Sequence, residues 1–349
     1  MKFGLVYDFR NPPPPIGSAR PLPGLYAAML EQIQLAESWG YDDIWLTEHH
    51  FLDDGYLPSL LPMAAAVAAR TSRVTIGTFV VLMPFHHPIR LAEDCAVVDN
   101  ISNGRLLFGP GVGYRRGEFT TFGIDRRLRG SITEEAVEIM IKCWTEEQFS
   151  YHGKHFHFDD VRCTPKPAQK PRIPVWFGAT QGDALRRAAR LGDGLLHTVA
   201  APPDAPRQFA ELLKEFGKDW RHPHVTSMAL LFTSDDPQRD WERLKPHALY
   251  HLQGYARWYA EDQAWQQGSP PSAFGGQFPT DYADLERTGH YLVGTPDQIV
   301  ARVKEIYAIA PFERFLYAPI WPGVDPDLAA RSVRLFADKV IPALHDLDQ

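Results

Sequence analysis

Cysteine is scarce in this chain. Only Cys95, Cys143 and Cys163 occur among 349 residues, an odd number, widely spaced and without the paired spacing of a metal finger. That excludes a disulfide-stapled secreted scaffold and makes a reducing cytoplasm the expected compartment. Long apolar runs are also missing. No segment approaches the roughly 18 residues that would span a bilayer, so no membrane association is expected. The first apolar stretch is broken by Asp8 and Arg10, and it reads as a strand rather than a signal peptide. Positive charge is in deficit: 36 Lys and Arg against 43 Asp and Glu give a formal net charge of -7. Phosphate binding needs a concentrated basic face, so a nucleic-acid partner is not expected.

What the chain does contain is alternation. Strand-like segments fall at Lys2–Tyr7, Asp43–Thr47, Val74–Met83, Arg105–Gly109, Pro174–Gly178, Gly194–Val199, roughly Val225–Phe232 and Glu313–Pro319. Between them lie helical patterns: Tyr26, Met29, Leu30, Ile33 and Ala36 share one face, and Ser59–Arg70 is rich in alanine. Ser131 with Glu134 has capping-box spacing, and Thr295-Pro296 with Gln298 reads as another helix start. Eight alternating strands and helices form a parallel (β/α)8 TIM barrel more simply than two domains. The expectation is a single domain over 1–349, with a hairpin arm at 148–173 and an insertion after strand seven at 236–291. Both are placed over the catalytic face.

In such barrels chemistry sits where strands end. Strand two ends in Thr47-Glu48-His49-His50-Phe51. A carboxylate and two imidazoles there suit proton transfer beside a planar cofactor, although one histidine of the pair could be purely structural. His49 is the first candidate, with Glu48 as its orienting partner. After strand five, Ala179-Thr180-Gln181-Gly182-Asp183 runs through a small turn into a helix. Free N–H groups at a helix start bind phosphate, but an ordinary βα loop looks the same. Phe108-Gly109-Pro110-Gly111-Val112-Gly113-Tyr114 lacks dinucleotide-fingerprint spacing. Its glycines would instead let a flat ring approach the backbone. His152, His155 and His157 cluster on the arm without a complete ligand set, and no metal site is expected. Tyr255, Trp258, Tyr259 and Trp265 could be packing in the insertion or the wall of an apolar pocket.

Taken in order, these segments resemble the luciferase-like flavin monooxygenase family over nearly the whole chain. Thr47–Phe51, Gly77–Pro84, His87-Pro88 with Ala92-Glu93-Asp94, Asp99–Arg105, Phe108–Gly113, Glu118-Phe119, Pro165-Lys166-Pro167, Pro174–Gly178 and Val293–Pro296 carry the likeness. The resemblance implies a reduced flavin mononucleotide (FMN, as FMNH2) at the C-terminal mouth, with His49 catalytic. It implies a non-prolyl cis bond at Phe79–Val80, a bulge under the flavin ring, and a phosphate site at Ala179–Asp183. Gly111 and Gly113 join the cofactor set, and His50, Met83, Tyr114 and Trp258 the substrate pocket. Where luciferase has a reactive cysteine and an arginine after strand four, this chain has Gly111 and Val112, so light emission is not implied.

The activity so implied is a two-component monooxygenase. A separate flavin reductase supplies FMNH2, O2 is co-substrate, a C4a-peroxyflavin forms, and one oxygen atom enters a small organic substrate. A homodimer is implied by the same likeness. Two other readings stand beside it. A deazaflavin-dependent hydride-transfer reductase or dehydrogenase would use Arg115, Arg116, Arg126, Arg127 and Arg129 as a basic groove. A non-catalytic flavin-binding subunit is the third.

Overall fold

A computed structural model describes residues 1–260 and 278–347. Eight parallel strands make the barrel: β1 (Lys2–Tyr7), β2 (Asp43–Leu46), β3 (Thr75–Thr78), β4 (Leu106–Leu107), β5 (Trp176–Gly178), β6 (Gly194–Leu196), β7 (His224–Thr233) and β8 (Arg314–Tyr317). Their order around the sheet is β4-β3-β2-β1-β8-β7-β6-β5. A bridge between Phe108 and Val175 joins the two ends. The (β/α)8 barrel with an insertion after the seventh strand is therefore the observed fold.

The barrel interior is filled by side chains of alternating strand positions. Val6, Trp45, Leu107, Trp176, Leu196 and Leu316 form a buried cluster of their own, and Phe79 and Val80 pack onto it. Two indoles fit because neighbouring strands carry glycine. A Cβ on Gly77 would lie 2.2 Å from the Trp45 ring, and one on Gly194 would lie 2.6 Å from the Trp176 ring. Strand patterning and these glycines together give a packed plug rather than a pore.

Helix ends follow the local chemistry in two of three cases. Thr295 and Gln298 form a reciprocal capping box, and the Asp325 side chain accepts from the N–H of Asp327. Ser131 does not cap. The helix starts earlier, at Arg129, and the Ser131 hydroxyl donates to Leu128 O and pairs with His155. Sequence spacing alone could not reveal that a short 3-10 turn, Arg126–Leu128, feeds the helix directly.

Strand three is shorter than the apolar run predicts. It stops at Thr78, the Phe79–Val80 peptide is cis, and the chain resumes as a two-residue strand, Val81–Leu82, beside Pro110–Gly111. The arm is a hairpin, Phe149–His152 with His157–Val161. It packs on the helix Arg129–Thr145: Tyr151 donates to Glu138, and three backbone N–H groups at its tip donate to Glu135. After β7 come the helix Pro237–Ala260, the helix Tyr282–Thr288 and the strand Tyr291–Gly294, which pairs with β7. Trp265 and the side chain of Tyr259 lie outside the described residues. Among the described residues no helix is long and apolar enough to cross a membrane.

Candidate active site

The loop after β2 carries the Glu-His-His stretch. His49 and Glu48 are buried, at 6% and 3% exposure. His49 Nδ1 lies 2.9 Å from Glu118 Oε1, and that same oxygen accepts from the backbone N–H of His50. A carboxylate only accepts, so the Nδ1–H tautomer follows from this partner, leaving Nε2 as the acceptor. The Tyr114 hydroxyl, 3.1 Å away, then donates to Nε2. Around the imidazole stand Tyr56, Trp258 and Tyr114, with ring centroids at 4.9, 5.0 and 5.4 Å.

Glu48 does not orient His49, which corrects the expected pairing. Its Oε1 pairs with Nε2 of His50 and of His86, at 2.7 and 2.9 Å, and its Oε2 accepts from Leu82 N–H. Burial by itself would raise the Glu48 carboxyl. The hydrogen bonds from His50 and His86 more than offset it and hold the group down at about 2. The geometry is simple: neighbouring residues on an extended segment point opposite ways. Glu48 and His49 therefore cannot share a partner, and a residue 69 positions along the chain supplies the one His49 needs. Glu118-Phe119 was part of the sequence likeness, but nothing local marked its carboxylate as functional.

The strand-three bulge sits against the end of β2, where Phe79 N–H donates to Leu46 O. Phe79 and Val80 are half-buried in an otherwise buried stretch. A Cβ on Gly111 would come 2.2 Å from Val80 Cγ2, and one on Gly178 2.7 Å from Val80 Cγ1. The space at Gly111 is thus taken by Val80, not left for a ring, and Gly113 adopts φ 71 as a turn residue beside Phe119.

Gly178, which touches the bulge through Val80, also starts the turn Ala179–Asp183. The helix Gly182–Leu191 begins there, and Gln181 gives its N-terminus no side-chain cap. Gly182 has φ +53, and Asp183 points its carboxylate into solvent. Bulge and uncapped helix start therefore share one end of the barrel. Of the expected pocket residues, Trp258 and Tyr114 face His49, and His50 is held by Glu48. Met83 is fully buried in the main core.

Of the five arginines expected to form a basic groove, Arg115 is buried, donates to His50 O and lies over the Trp258 ring at 5.7 Å, while Arg127 is paired with Asp125. Of the arm histidines, His152 pairs with Asp159 and meets His157 edge-on at 6.1 Å, while His155 pairs with Ser131. Two groups at the end of β1 were missed. Asp8 and Arg10 read only as a break in the first strand, although a strand end in a barrel is the position where charged groups carry function.

Comparison with known proteins adds a family. A family model described as luciferase-like monooxygenase matches residues 1–313. The oxygenase component of a flavin-dependent trigonelline monooxygenase from Acinetobacter baylyi is 32% identical over 332 residues, covering 92% of this chain and 91% of that protein. An F420-dependent glucose-6-phosphate dehydrogenase from Microbacterium testaceum is also 32% identical, but over 177 residues, 49% of this chain and 52% of that one. Among solved structures, a monooxygenase from Streptomyces bottropensis superposes with a TM-score of 0.80 at 27% identity, covering 98% of this chain and 99% of that chain.

Proposed function

This chain belongs to the luciferase-like monooxygenase family, and from that premise we propose that it is a reduced-flavin-dependent monooxygenase acting on a small organic substrate. The observation that carries the reading is His49: held at Nδ1 by buried Glu118, it turns Nε2 toward Tyr114 beside the strand-three bulge. The residues present fit a flavin mononucleotide. Phe79 and Val80 would floor its ring, and Thr180 with the N–H groups of Gly182 and Asp183 would hold its phosphate at the uncapped helix start. Ala179 and Gln181 shape that turn. Bound there in reduced form, the flavin supplies the two electrons needed to divide dioxygen between product and water.

The chain's own part is positioning, water exclusion and one proton. Tyr56, Trp258 and Tyr114 enclose the imidazole and keep bulk water from it. His49 Nε2 takes or returns a proton, Tyr114 O–H being its nearest hydrogen-bond partner, while Glu118 fixes the ring's orientation. A separate reductase would deliver the reduced flavin. A homodimer is proposed as well, with exposed Val97 and Ile101 on the helix Pro88–Ile101 as an apolar surface in its support.

The test is steady-state turnover with a reductase-coupled supply of reduced flavin and 18O-labelled dioxygen. His49→Ala is expected to lower kcat/KM by about 100- to 10,000-fold, the range of a lost general acid or base. Label in the product at an unchanged rate in that variant would remove His49 from the chemistry. The deazaflavin reading keeps one specific support, the 32% identity to an F420-dependent dehydrogenase over half the chain. Against it stands the buried, engaged Arg115.

A further inference from the structure

The mouth holds a second polar group that the proposed oxygenation does not use. Asp8, at the end of β1, is half-buried. Its Oδ1 accepts from Arg10 N–H, and its other oxygen has no hydrogen-bond partner among the described residues. Arg10 is buried at 2% exposure, and its Nε and Nη2 both engage Asp54 Oδ2, at 2.7 and 2.6 Å. Its Nη1 is buried and has no acceptor among the described residues. The Arg10 guanidinium lies 5.1 Å from the Tyr56 ring and 5.8 Å from that of Trp258, the same two rings that flank His49.

These facts define an incomplete polar cluster one aromatic ring away from His49. Its charges do not balance: Asp8 and Asp54 face a single guanidinium, and His251 beside them is kept neutral by burial and by Arg10. An orphaned buried guanidinium nitrogen is destabilising unless something accepts from it. What completes the cluster must therefore offer a donor to Asp8 and an acceptor to Arg10. The Tyr56 and Trp258 rings beside the cluster favour a flat compound.

We propose that Asp8 is a substrate-binding residue and that the substrate is a planar compound bearing an N–H group beside an acceptor, of the amide or N–H heterocycle class, which donates to the Asp8 carboxylate. Arg10 Nη1 takes the acceptor on the same ligand edge. Burial raises the Asp8 carboxyl to about 6, against the pull of Arg10. Such a group gains more from a new donor than a solvated carboxylate does. Calling the ligand a substrate rests on the monooxygenase reading, whereas the binding itself does not.

The experiment is calorimetric titration of the full chain, without flavin or reductant, with three isosteric probes: benzamide, benzamidinium and benzoate. Decanal serves as the apolar alternative. Benzamide is expected to bind at least tenfold tighter than benzoate, which has no donor for Asp8, and than benzamidinium, which has no acceptor for Arg10. Asp8→Asn, checked for a wild-type melting transition, is expected to bring benzamide and benzoate within threefold of one another. The wild-type ranking stands alone should that variant not fold. Tightest binding of benzoate or of benzamidinium, or saturable binding of decanal alone, would overturn the proposal. Either could occur with a flavin site intact, and a failed flavin site leaves this ranking untouched.

Discussion

Three hydrogen bonds converge on the Glu48 carboxylate, from His50, His86 and Leu82 N–H, at a site almost sealed from water. Such a group stabilises the fold while ionised. Its folded value of about 2 lies below the ordinary 4.5, so its contribution is complete above pH 4.5 and fades as pH falls toward 2. Glu48→Gln is expected to cost about 2–4 kcal/mol at pH 7, and the gap to wild type should narrow steadily between pH 5 and pH 3. Denaturant unfolding across that range checks it. A gap that stayed constant down to pH 3 would mean that Glu48 acts by shape rather than charge. Residue by residue, the sequence read Glu48 and His49 as one pair because they are adjacent. The fold separates them onto opposite sides, giving one a structural network and the other a distant carboxylate, Glu118.

At the level of elements, the bulge after β3 depends on glycines elsewhere. Val80 occupies the space that side chains at Gly111 and Gly178 would take. Gly111→Ala would force Val80 aside and should destabilise the chain by about 1–3 kcal/mol, as overpacking does. It should also weaken flavin binding at least tenfold if the bulge floors the ring. Thermal unfolding and an equilibrium flavin titration read the two effects separately. A stability loss without any change in flavin affinity would detach the bulge from the cofactor. Elements were the most legible scale: all eight barrel strands were readable as apolar runs between turn residues, and the caps at Thr295 and Asp325 are local chemistry. The end of strand three was not legible from periodicity, because Val81-Leu82-Met83 continues the apolar run across a break in the ladder. Only the family likeness placed the bulge. Asp8, Arg10, Asp54 and Tyr56 escaped notice because they come together only when the barrel closes and brings β1 beside β2.

For the molecule as a whole, barrel topology sets where chemistry can happen. Trp45 and Trp176 plug the interior, so no ring-sized ligand passes through the barrel, and barrel chemistry belongs at the mouth formed by the C-terminal strand ends. There the bulge, the uncapped helix at Gly182, the His49–Glu118 pair and the aromatic wall of the helix Pro237–Ala260 converge. Anaerobic titration of the chain with FMNH2, and in parallel with reduced deazaflavin F420, tests that convergence most directly. The expected result is saturable micromolar binding of FMNH2, weakened at least tenfold by Gly182→Pro, which bends the phosphate turn, and unaffected by His49→Ala. Saturable binding of F420 with none of FMNH2, or FMNH2 affinity indifferent to the change at Gly182, would contradict it.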